Sequence, residues 1–381
     1  MAAEMTHRAV MANTARLDAL MDRDGLDAVA VRSGQNFTYL AGMAMPGTLA
    51  RHLDAAYTVR GFMVLWPRRG EPILVLDAFA EGLARRASWI QRVEVYQAYE
   101  ESLYSRVAEL IAETGLADAR IGFERDGLSV AHWEEIRRAL PRLEMADCSR
   151  LMEEVRWVKT PGEVALQKKA CDLLDDVLLE NFPTIREGES ERDVHVRMIA
   201  ACMKKGCGYV HGILNSSSNT VMYGGESEVR FRRGDFVRND YVAYLDGYPG
   251  HQSRLAILGR PTPEQQRGYD LTLEIHRKTL DRCRAGVTAG EIYAFAHAEF
   301  AKQGIDYSAT LVGHGMGPWF HQQEPVLRRG SKVLLEDGMI LAVEPQRLHW
   351  HLQDIILVQE SGPPRLISDK MATDRPFVIQ C

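Results

Sequence analysis

The sequence predicts two domains, an α/β domain followed by an α+β domain. The chain has 381 residues, which is long for a single hydrophobic core. Its first part alternates short apolar segments with amphipathic helices, as α/β layer domains do. Its second part carries longer helices that are followed by apolar strands. We place the boundary between residues 155 and 156, which gives an α/β domain over 1–155 and an α+β domain over 156–381.

Apolar periodicity defines the elements of the first domain. Helices are expected where apolar residues recur on one side, and strands where short apolar runs end at turn residues. In chain order we predict a helix over 9–24, strands over 27–31, 61–66 and 72–76, a helix over 102–114, a strand over 120–123 and a helix over 132–140.

A helix start opens the second domain. Thr160 precedes Pro161, and Glu163 follows three residues after Thr160, which combines a capping side chain, a proline in the first turn and an early acid. We predict helices over 149–158, 163–180, 193–205, 263–284 and 289–303, and strands over 235–244, 253–258, 339–344 and 354–358. The segments 193–258 and 289–358 share a plan of helices followed by a strand pair, which is compatible with a structural duplication.

Composition and charge exclude several classes of protein. The net charge is −6 and no basic stripe is present, so we expect no nucleic-acid partner. The charged N-terminus lacks the apolar core of a signal peptide, and no apolar run reaches 18 residues, so we expect no membrane span. Six cysteines without a CxxC pair are typical of reduced thiols in a cytoplasmic protein.

Polar residues cluster at the predicted strand ends of the second domain. Because a strand directs alternate side chains to one face, a rigid sheet can aim several such groups at one point. Glu344 follows an apolar run, where a carboxylate is either paired, metal-bound, protonated or simply exposed at the strand end. The candidates are Asp240, His251, His314, His321, Glu344, Gln353 and Asp354.

A glycine-rich turn over 312–317 carries His314, and His321 lies seven residues further on. Glycines let the backbone approach a ligand closely. A single histidine beside aromatic residues is more often a buried structural residue than a catalyst. Two histidines around such a turn, followed by the strand-end Glu344, favour a functional site.

Several segments, in this order along the chain, resemble those of methionine aminopeptidase, aminopeptidase P, prolidase and creatinase, which form peptidase family M24. They are SGQNFTYLAG (33–42), RWVKTPGE (156–163), GDFVRND (234–240), DGYPGH (246–251), GHGMGPWFHQQEP (313–325), VEP (343–345) and LQDIILV (352–358). The resemblance implies a creatinase-type N-terminal domain and a C-terminal catalytic domain with the pita-bread fold.

The resemblance also implies an altered metal site. Metallopeptidases of this family hold two divalent ions with two aspartates, one histidine and two glutamates. Asp240, His314 and Glu344 match that set, whereas His251 stands at the second aspartate and Gln353 at the second glutamate. Two dications about 3.5–4 Å apart need bridging anions to offset their repulsion. We therefore expect that a two-ion centre does not form.

Residue roles follow from the same resemblance. His314, His321 and Glu344 would be the acid/base or nucleophilic groups, and Tyr223 takes the place of a histidine near the leaving group. Asp240 and Gln353 would contact the substrate. Arg254 is expected to form a structural ion pair, and His211 has no assigned place.

Arg51 and His52 are further substrate-binding candidates. In creatinase-like dimers this region reaches the partner's site and can hold a substrate carboxylate, a task that suits arginine. An ordinary surface loop is the alternative. The resemblance further implies a homodimer in which loops over 44–57 cover the neighbour's cleft.

Two interpretations of the altered site remain open. In the favoured one no metal binds, as in creatinase. In the other a single zinc, iron or manganese ion is held by His251, His314 and Glu344, with Asp240 as an added ligand or as a partner of His251.

The functional hypothesis is a hydrolase that cleaves a C–N bond of a small zwitterionic or amidine-like metabolite, in the manner of creatinase and ectoine hydrolase. The first alternative is a metal-dependent Xaa-Pro dipeptidase or aminopeptidase. The second is a non-catalytic pita-bread module that binds peptides.

Overall fold

The computed structural model describes residues 11–221, 227–347 and 349–380, without the side chains at 47, 48 and 51. The described chain forms two compact units. The first contains the residues up to Arg156 together with Pro318–Phe320. The second contains Trp157–Gly317 and the residues from His321 onward.

The first unit is built on a six-stranded mixed sheet whose order is β4-β3-β2-β1-β5-β6. β1 pairs with β2 antiparallel and with β5 parallel, so this central strand is covered on both edges. All four residues of β1 are buried, as the apolar run predicts. The strands are β1 (Ala28–Val31), β2 (Phe62–Pro67), β3 (Ile73–Asp77), β4 (Arg92–Tyr96), β5 (Arg120–Phe123) and β6 (Glu144–Asp147).

Helices connect these strands. The first begins at Thr14, where the Asn13 side chain accepts a hydrogen bond from the Arg16 amide and caps the helix. The helices are α1 (Thr14–Asp24), α2 (Gly34–Ala41), α3 (Gly47–Asp54), α4 (Glu81–Ala87), α5 (Leu103–Glu113), α6 (Val130–Ala139) and α7 (Ser149–Trp157).

Two expectations for this unit are corrected. The segment 44–57 contains the helix α3 rather than only loop. The edge strands β4 and β6 were not predicted, because their residues are mostly half-buried or exposed and lack a continuous apolar run.

The second unit contains two five-stranded sheets, each preceded in the chain by a pair of helices. One sheet has the order β16-β10-β8-β7, with β9 also paired to β8, and the other has the order β12-β11-β13-β14-β15. The elements are α8 (Pro161–Asn181), α9 (Glu191–Lys204), β7 (Tyr209–Ser216), β8 (Phe236–Leu245), β9 (Tyr248–Gly250), β10 (Ala256–Leu258), α10 (Pro263–Arg282), α11 (Ala289–Lys302), β11 (Leu311–Gly315), β12 (Gln323–Arg328), β13 (Ile340–Val343), β14 (Asp354–Leu357), β15 (Arg365–Leu366) and β16 (Phe377–Ile379).

The predicted start of α8 has the expected chemistry. The Thr160 hydroxyl accepts from the Glu163 amide, and the Glu163 carboxylate accepts from the Thr160 amide, which completes a capping box. Glu163 is fully buried and also accepts a hydrogen bond from the Tyr248 hydroxyl at 2.9 Å. The helix start is therefore tied to the strand β9.

The strand β7 was missed in the sequence. It pairs with β8 along its whole length, from Tyr209 opposite Tyr244 to Ser216 opposite Val237. Five of its eight residues are exposed or half-buried and Gly212 interrupts it, so no continuous apolar run marks it. This strand places His211 beside β8.

A single backbone bridge links the segments that precede β10 and β14. The amides of Ser253 and Gln353 each donate to the carbonyl of the other residue, at 3.2 and 3.3 Å. Because Ser253 joins this bridge, β10 begins only at Ala256 and is shorter than predicted. The bridge brings the segment after His251 next to the segment that carries His351 and Gln353.

Among the described residues, none of the helices combines the length and the apolar character that crossing a bilayer requires.

Candidate active site

The second unit contains an open cavity of about 1080 Å³. Residues from both sheets and from the segment before β11 line it, and all of them belong to this unit. The titratable lining residues are His211, Asp240, His251, Asp306, Tyr307, His314, His321, Glu344 and Arg347.

Three histidines form the centre of the cavity. One ring nitrogen each of His251, His314 and His321 lies within 4.8 Å of the others. The ring centroids of His251 and His321 are 4.4 Å apart, and each lies 5.5 Å from the centroid of His314. His211 lies next to this trio, with its centroid 5.5 Å from that of His321.

Backbone carbonyls fix the orientation of two of these rings. His251 Nδ1 lies 3.1 Å from the Tyr241 carbonyl oxygen, and His314 Nδ1 lies 2.9 Å from the Gly315 carbonyl oxygen. A carbonyl can only accept, so each Nδ1 carries the proton. The Nε2 atoms of His251 and His314 therefore keep their lone pairs.

Burial holds His211, His314 and His321 neutral. Burial lowers the pKa of His314, of His321 and of His211, and the neighbouring imidazoles lower that of His321 further. At neutral pH these rings offer lone pairs or accept protons rather than carrying charge.

Glu344 is held by a histidine that sequence reasoning did not identify. His351 Nε2 lies 3.0 Å from Glu344 Oε2, and His351 Nδ1 lies 3.2 Å from the Ser253 hydroxyl. That hydroxyl donates to the Asn239 carbonyl, so it must accept from His351 Nδ1. His351 Nδ1 therefore carries one proton. The contact between His351 Nε2 and Glu344 Oε2 needs a further proton, which these two groups share.

This arrangement favours an ionised Glu344. Burial opposes ionisation, but the hydrogen bond and the charge of His351 hold the pKa of Glu344 below its usual range. The other oxygen, Oε1, lies 3.9 Å from His314 Nε2. The site thus keeps a carboxylate fixed at one oxygen and directed at the histidine trio by the other.

The partly exposed Asp240 supplies a second negative charge. Its oxygens lie 3.7 Å from His251 Nδ1 and 3.9 Å from Arg238 Nη2. Burial opposes its ionisation, but the charges of His351, His251 and Arg238 lower its pKa. Asp306, which also lines the cavity, is exposed.

Gln353 has a structural contact instead of a place in the cavity lining. Its Nε2 donates to the His251 carbonyl oxygen at 2.6 Å, and its Oε1 makes no hydrogen bond to any described residue. Arg254 forms the predicted structural ion pair, with Nη1 3.1 Å from Asp354 Oδ1. The Arg254 guanidinium also donates to the Gln353 carbonyl at 2.8 Å.

The other predicted residues are not placed in this cavity. Tyr223 lies outside the described residues, as does the side chain of Arg51. His52 belongs to the first unit, where its Nδ1 lies 2.5 Å from the Thr58 hydroxyl. The roles proposed for these three residues stay predictions.

Three residues at or beside the cavity were given no role from the sequence. His211 depended on the missed strand β7, and Arg347 follows Glu344 in a segment without apolar periodicity. His351, between Trp350 and Leu352, was not singled out in the sequence. The signal for it was its place two residues before Gln353, on the strand approach that carries the other site groups.

The donor set does not fit a pair of dications. Two carboxylates, the partly exposed Asp240 and the buried Glu344, contact the trio, and Glu344 Oε2 is already bonded to His351. Gln353, the residue expected at a bridging position, donates its amide to a backbone carbonyl. Neutral imidazoles do not bridge two ions, so charge repulsion would remain largely uncompensated. The histidine trio does fit one ion, because imidazole nitrogens are common metal ligands.

A histidine- and carboxylate-lined cavity between two sheets, in a chain with an α/β first unit, defines a hydrolase of the metallopeptidase class. The sequence model of metallopeptidase family M24 matches residues 165–360, and that of the creatinase/prolidase N-terminal domain matches residues 14–158. The chain belongs to metallopeptidase family M24, and its second domain has the pita-bread fold.

Individual relatives cover nearly the whole chain. A putative dipeptidase of Bacillus subtilis, YkvY, is 24% identical over 367 residues, which is 94% of this chain and 94% of that protein. The Xaa-Pro dipeptidase of Pyrococcus horikoshii is 24% identical over 355 residues, covering 91% and 94%. The crystal structure of the X-Pro aminopeptidase of Thermotoga maritima has a TM-score of 0.81 at 19% identity, covering 96% and 99%.

Proposed function

We propose that this chain hydrolyses a C–N bond in a small zwitterion of dipeptide size or less. The observation that carries the proposal is the charge pattern of the cavity. Asp240 and Glu344 face it with negative charge, Arg347 faces it with positive charge, and neutral histidines lie between them. A substrate with an ammonium and a carboxylate would complement both signs.

The size of the cavity agrees with such a substrate. Small-molecule sites occupy roughly 300–1,000 Å³, so about 1080 Å³ is at the upper end of that range. Arginine binds carboxylates through two parallel hydrogen bonds, which gives Arg347 the role of a carboxylate anchor. Asp240 would take the substrate ammonium group.

Different side chains of the cavity can carry out the two proton transfers of hydrolysis. Glu344, ionised and held by His351, would accept a proton from the attacking water. Glu344 would then pass this proton to the leaving nitrogen. While no ion occupies its Nε2, the neutral imidazole of His314, 3.9 Å from Glu344 Oε1 and beside His321, can relay that proton. A bound divalent ion would add Lewis-acid polarisation of the bond under attack.

Xaa-Pro dipeptides are the first substrates to test. Curated relatives from several organisms are named Xaa-Pro dipeptidases, and they cover most of this chain. A dipeptide with a C-terminal proline carries both charges and one C–N bond to cleave. These names support the peptidase alternative over the creatinase-like hypothesis favoured in the sequence.

A non-peptide metabolite is the second candidate substrate. It is favoured by His251 and Gln353, which stand where the resemblance expects two metal carboxylates. A site that lacks those carboxylates would cleave amidine-like or other small C–N compounds by acid/base chemistry.

The test is a substrate panel assayed with and without added zinc, manganese or cobalt. It should contain Xaa-Pro dipeptides, the same dipeptides with an amidated C-terminus, and small amidine-like zwitterions. We expect turnover of a free zwitterion and at least tenfold weaker kcat/KM for its amidated form, since loss of a charge-assisted contact costs about 1.5–3 kcal/mol. Equal turnover of both forms, or none on the whole panel, would contradict the proposal.

Two variants separate binding from chemistry. R347Q should raise KM by about tenfold or more with kcat little changed, whereas R328Q, an exposed arginine outside the cavity lining, should change neither. E344Q should lower kcat instead. A normal KM in R347Q would remove Arg347 as the carboxylate anchor.

A further inference from the structure

We propose that His251, His314 and His321 together form a binding site for a single divalent cation of the zinc type. This inference deepens the proposed function and rests on it, because the ion would serve the same cavity and reaction. It differs from the ligand set expected from the sequence, which joined His251 and His314 to Glu344 and Asp240. It also replaces the metal-free site that the sequence favoured.

The rings of His251, His314 and His321 converge. His251 lies just after β9, His314 lies on β11 and His321 lies in the loop before β12, so three separate backbone segments bring the rings together. Their ring nitrogens approach within 4.8 Å, whereas the Glu344 and Asp240 oxygens are not part of that group. A tetrahedral zinc ion has Zn–N distances of about 2.0–2.1 Å, so small ring rotations would bring the nitrogens to bonding distance.

The rings of His251 and His314 are oriented as metal ligands are. His251 and His314 each donate Nδ1–H to a backbone carbonyl, at 3.1 and 2.9 Å. Histidines that bind metals almost always donate their other ring N–H to such a carbonyl or to a carboxylate, which fixes the ring and its tautomer. Both Nε2 lone pairs are thereby left for a ligand bond.

His321 is oriented by a tyrosine. Its backbone amide donates to the Tyr244 hydroxyl oxygen at 3.1 Å, and its Nδ1 lies 3.4 Å from the same oxygen. One ring nitrogen of His321 lies within 4.8 Å of ring nitrogens of His251 and His314. Tyr244 therefore acts as a positioning residue for the third ligand.

The carboxylates beside the trio favour one ion over two. Two of them, Asp240 and Glu344, contact the trio, and Glu344 Oε2 is already bonded to His351, so few anionic oxygens are left to bridge two dications. Glu344 stays in place through its hydrogen bond to His351 and need not bind the ion directly. Nearby carboxylates that do not coordinate still increase the affinity of such sites.

The ligand type selects the ion. Three imidazole nitrogens suit zinc, copper, iron, cobalt and nickel, whereas calcium and magnesium prefer oxygen ligands. Three protein ligands leave an open position for water or substrate, as in catalytic rather than structural zinc sites. We therefore expect zinc and cobalt to bind and magnesium and calcium not to compete.

The test measures binding without any substrate. The full chain is stripped with a chelator, and zinc binding is followed by titration calorimetry and by elemental analysis after desalting. We expect one equivalent per chain, a rise in melting temperature on binding, and the visible absorption of tetrahedral cobalt when Co²⁺ replaces zinc. Two equivalents, or no saturable binding, would overturn the inference.

Variants identify the ligands. H251N, H314N and H321N should each weaken zinc binding by more than about 100-fold, while D240N and E344Q, as nearby charges, should weaken it by roughly 10-fold. H297Q, a histidine outside the cavity lining, is the matched control and should bind like the unmodified chain. Unchanged affinity in H321N would overturn the three-histidine set.

The outcomes separate this inference from the proposed function. Circular dichroism and melting of each variant without metal show whether it is folded, and the stoichiometry of the unmodified chain does not depend on any variant. Turnover by a chain that binds no ion would overturn the metal site alone. Binding of one ion without turnover of any zwitterion would overturn the proposed function alone.

Discussion

His351 shows how a single side chain determines the state of the candidate site. It bridges the Ser253 hydroxyl and the Glu344 carboxylate, at 3.2 and 3.0 Å, and is itself fully buried. The direction of these hydrogen bonds requires a shared proton between His351 and Glu344. Removing either partner therefore leaves a buried group without its counterpart.

A double-mutant cycle tests this pair. H351Q and E344Q should each destabilise the fold, because breaking a buried pair typically costs about 3–5 kcal/mol. The double variant should lose less than the sum by about 1–3 kcal/mol, because two amides can hydrogen-bond to each other without charge. Denaturant unfolding of the four proteins measures the coupling. Strictly additive losses would mean that no proton is shared.

His251 and Gln353 can be replaced by the aspartate and glutamate that the family resemblance expects at these positions. H251D/Q353E raises the number of carboxylates at the expected metal positions from two to four, which is enough to hold two dications together. We expect the double variant to bind two manganese ions per chain by elemental analysis. H251N, with similar size and no added charge, is the control and should not bind two. A double variant that never exceeds one ion would show that carboxylate number is not what limits the site.

At the residue level, five of the candidates named in the sequence share one cavity, while their catalytic and binding roles stay predictions. His251, Asp240, His314, His321 and Glu344 all line one cavity, because each follows or lies on a strand of the second unit. Gln353 was expected to contact substrate but bonds to the His251 carbonyl. Which atom a side chain contacts depends on neighbours distant in sequence, and residue type alone does not fix it.

Among the elements, the start of α8 carries a pH-dependent contribution to stability. Burial raises the pKa of Glu163 to about 7. The folded chain then holds this proton more tightly than the unfolded chain, so the free energy of unfolding falls as pH rises from about 4.5 to about 7. The loss is on the order of 3 kcal/mol, since each pKa unit corresponds to 1.36 kcal/mol.

E163Q should remove that dependence. Glutamine keeps the capping box and can bond to Tyr248 without a charge. We expect the variant to match the unmodified chain near pH 4.5 and to be more stable above pH 7, as measured by chemical denaturation at both values. E291Q, at the same position of the exposed capping box of α11, should show no such gain. A gain for E291Q equal to that for E163Q would contradict burial as the cause.

The contact between β9 and α8 fixes the position of His251. A Cβ added at Gly250 would lie 2.2 Å from the Ala170 carbonyl oxygen, a backbone atom that cannot rotate away. G250A should therefore destabilise the fold by about 1–3 kcal/mol or more. G208A, where an added Cβ meets nothing within 4 Å, is the control and should change stability by less than about 0.5 kcal/mol. Equal melting temperatures for both variants would contradict this close packing.

Prediction of elements succeeded where apolar runs or capping signals were strong. The Thr160–Glu163 pattern gave the start of α8, and the runs over 235–244 and 354–358 gave β8 and β14 within one residue. β7 failed because its partner β8, rather than its own apolar pattern, defines it as a strand. The helix α3 in the segment 44–57 also escaped notice.

For the whole molecule we propose a homodimer in the reducing cytoplasm. The dimer rests on the resemblance to creatinase-like proteins, and the compartment rests on cysteines that are buried and unpaired among the described residues. Light scattering at micromolar concentration should give about twice the chain mass of 42.9 kDa. A mass equal to one chain would contradict the dimer.

For the whole molecule, the order of the family-like sequence segments along the chain was enough to predict the family and the fold. The glycine-rich turn and the strand-end Glu344 lie where the family model matches. The substrate was not predictable, because loops such as 304–311 that line the cavity carry no recognisable motif. Their contacts arise only when distant strands come together.

The number of divalent ions per chain tests the charge balance of the cavity most directly. The full chain should be incubated with excess zinc or manganese, desalted and analysed for metal against protein concentration. We predict one tightly held ion, because three converging histidine nitrogens supply ligands for one ion, and Asp240 and Glu344 are too few carboxylates to bridge two dications. Two tightly held ions in the unmodified chain would contradict this prediction and restore a conventional two-metal peptidase.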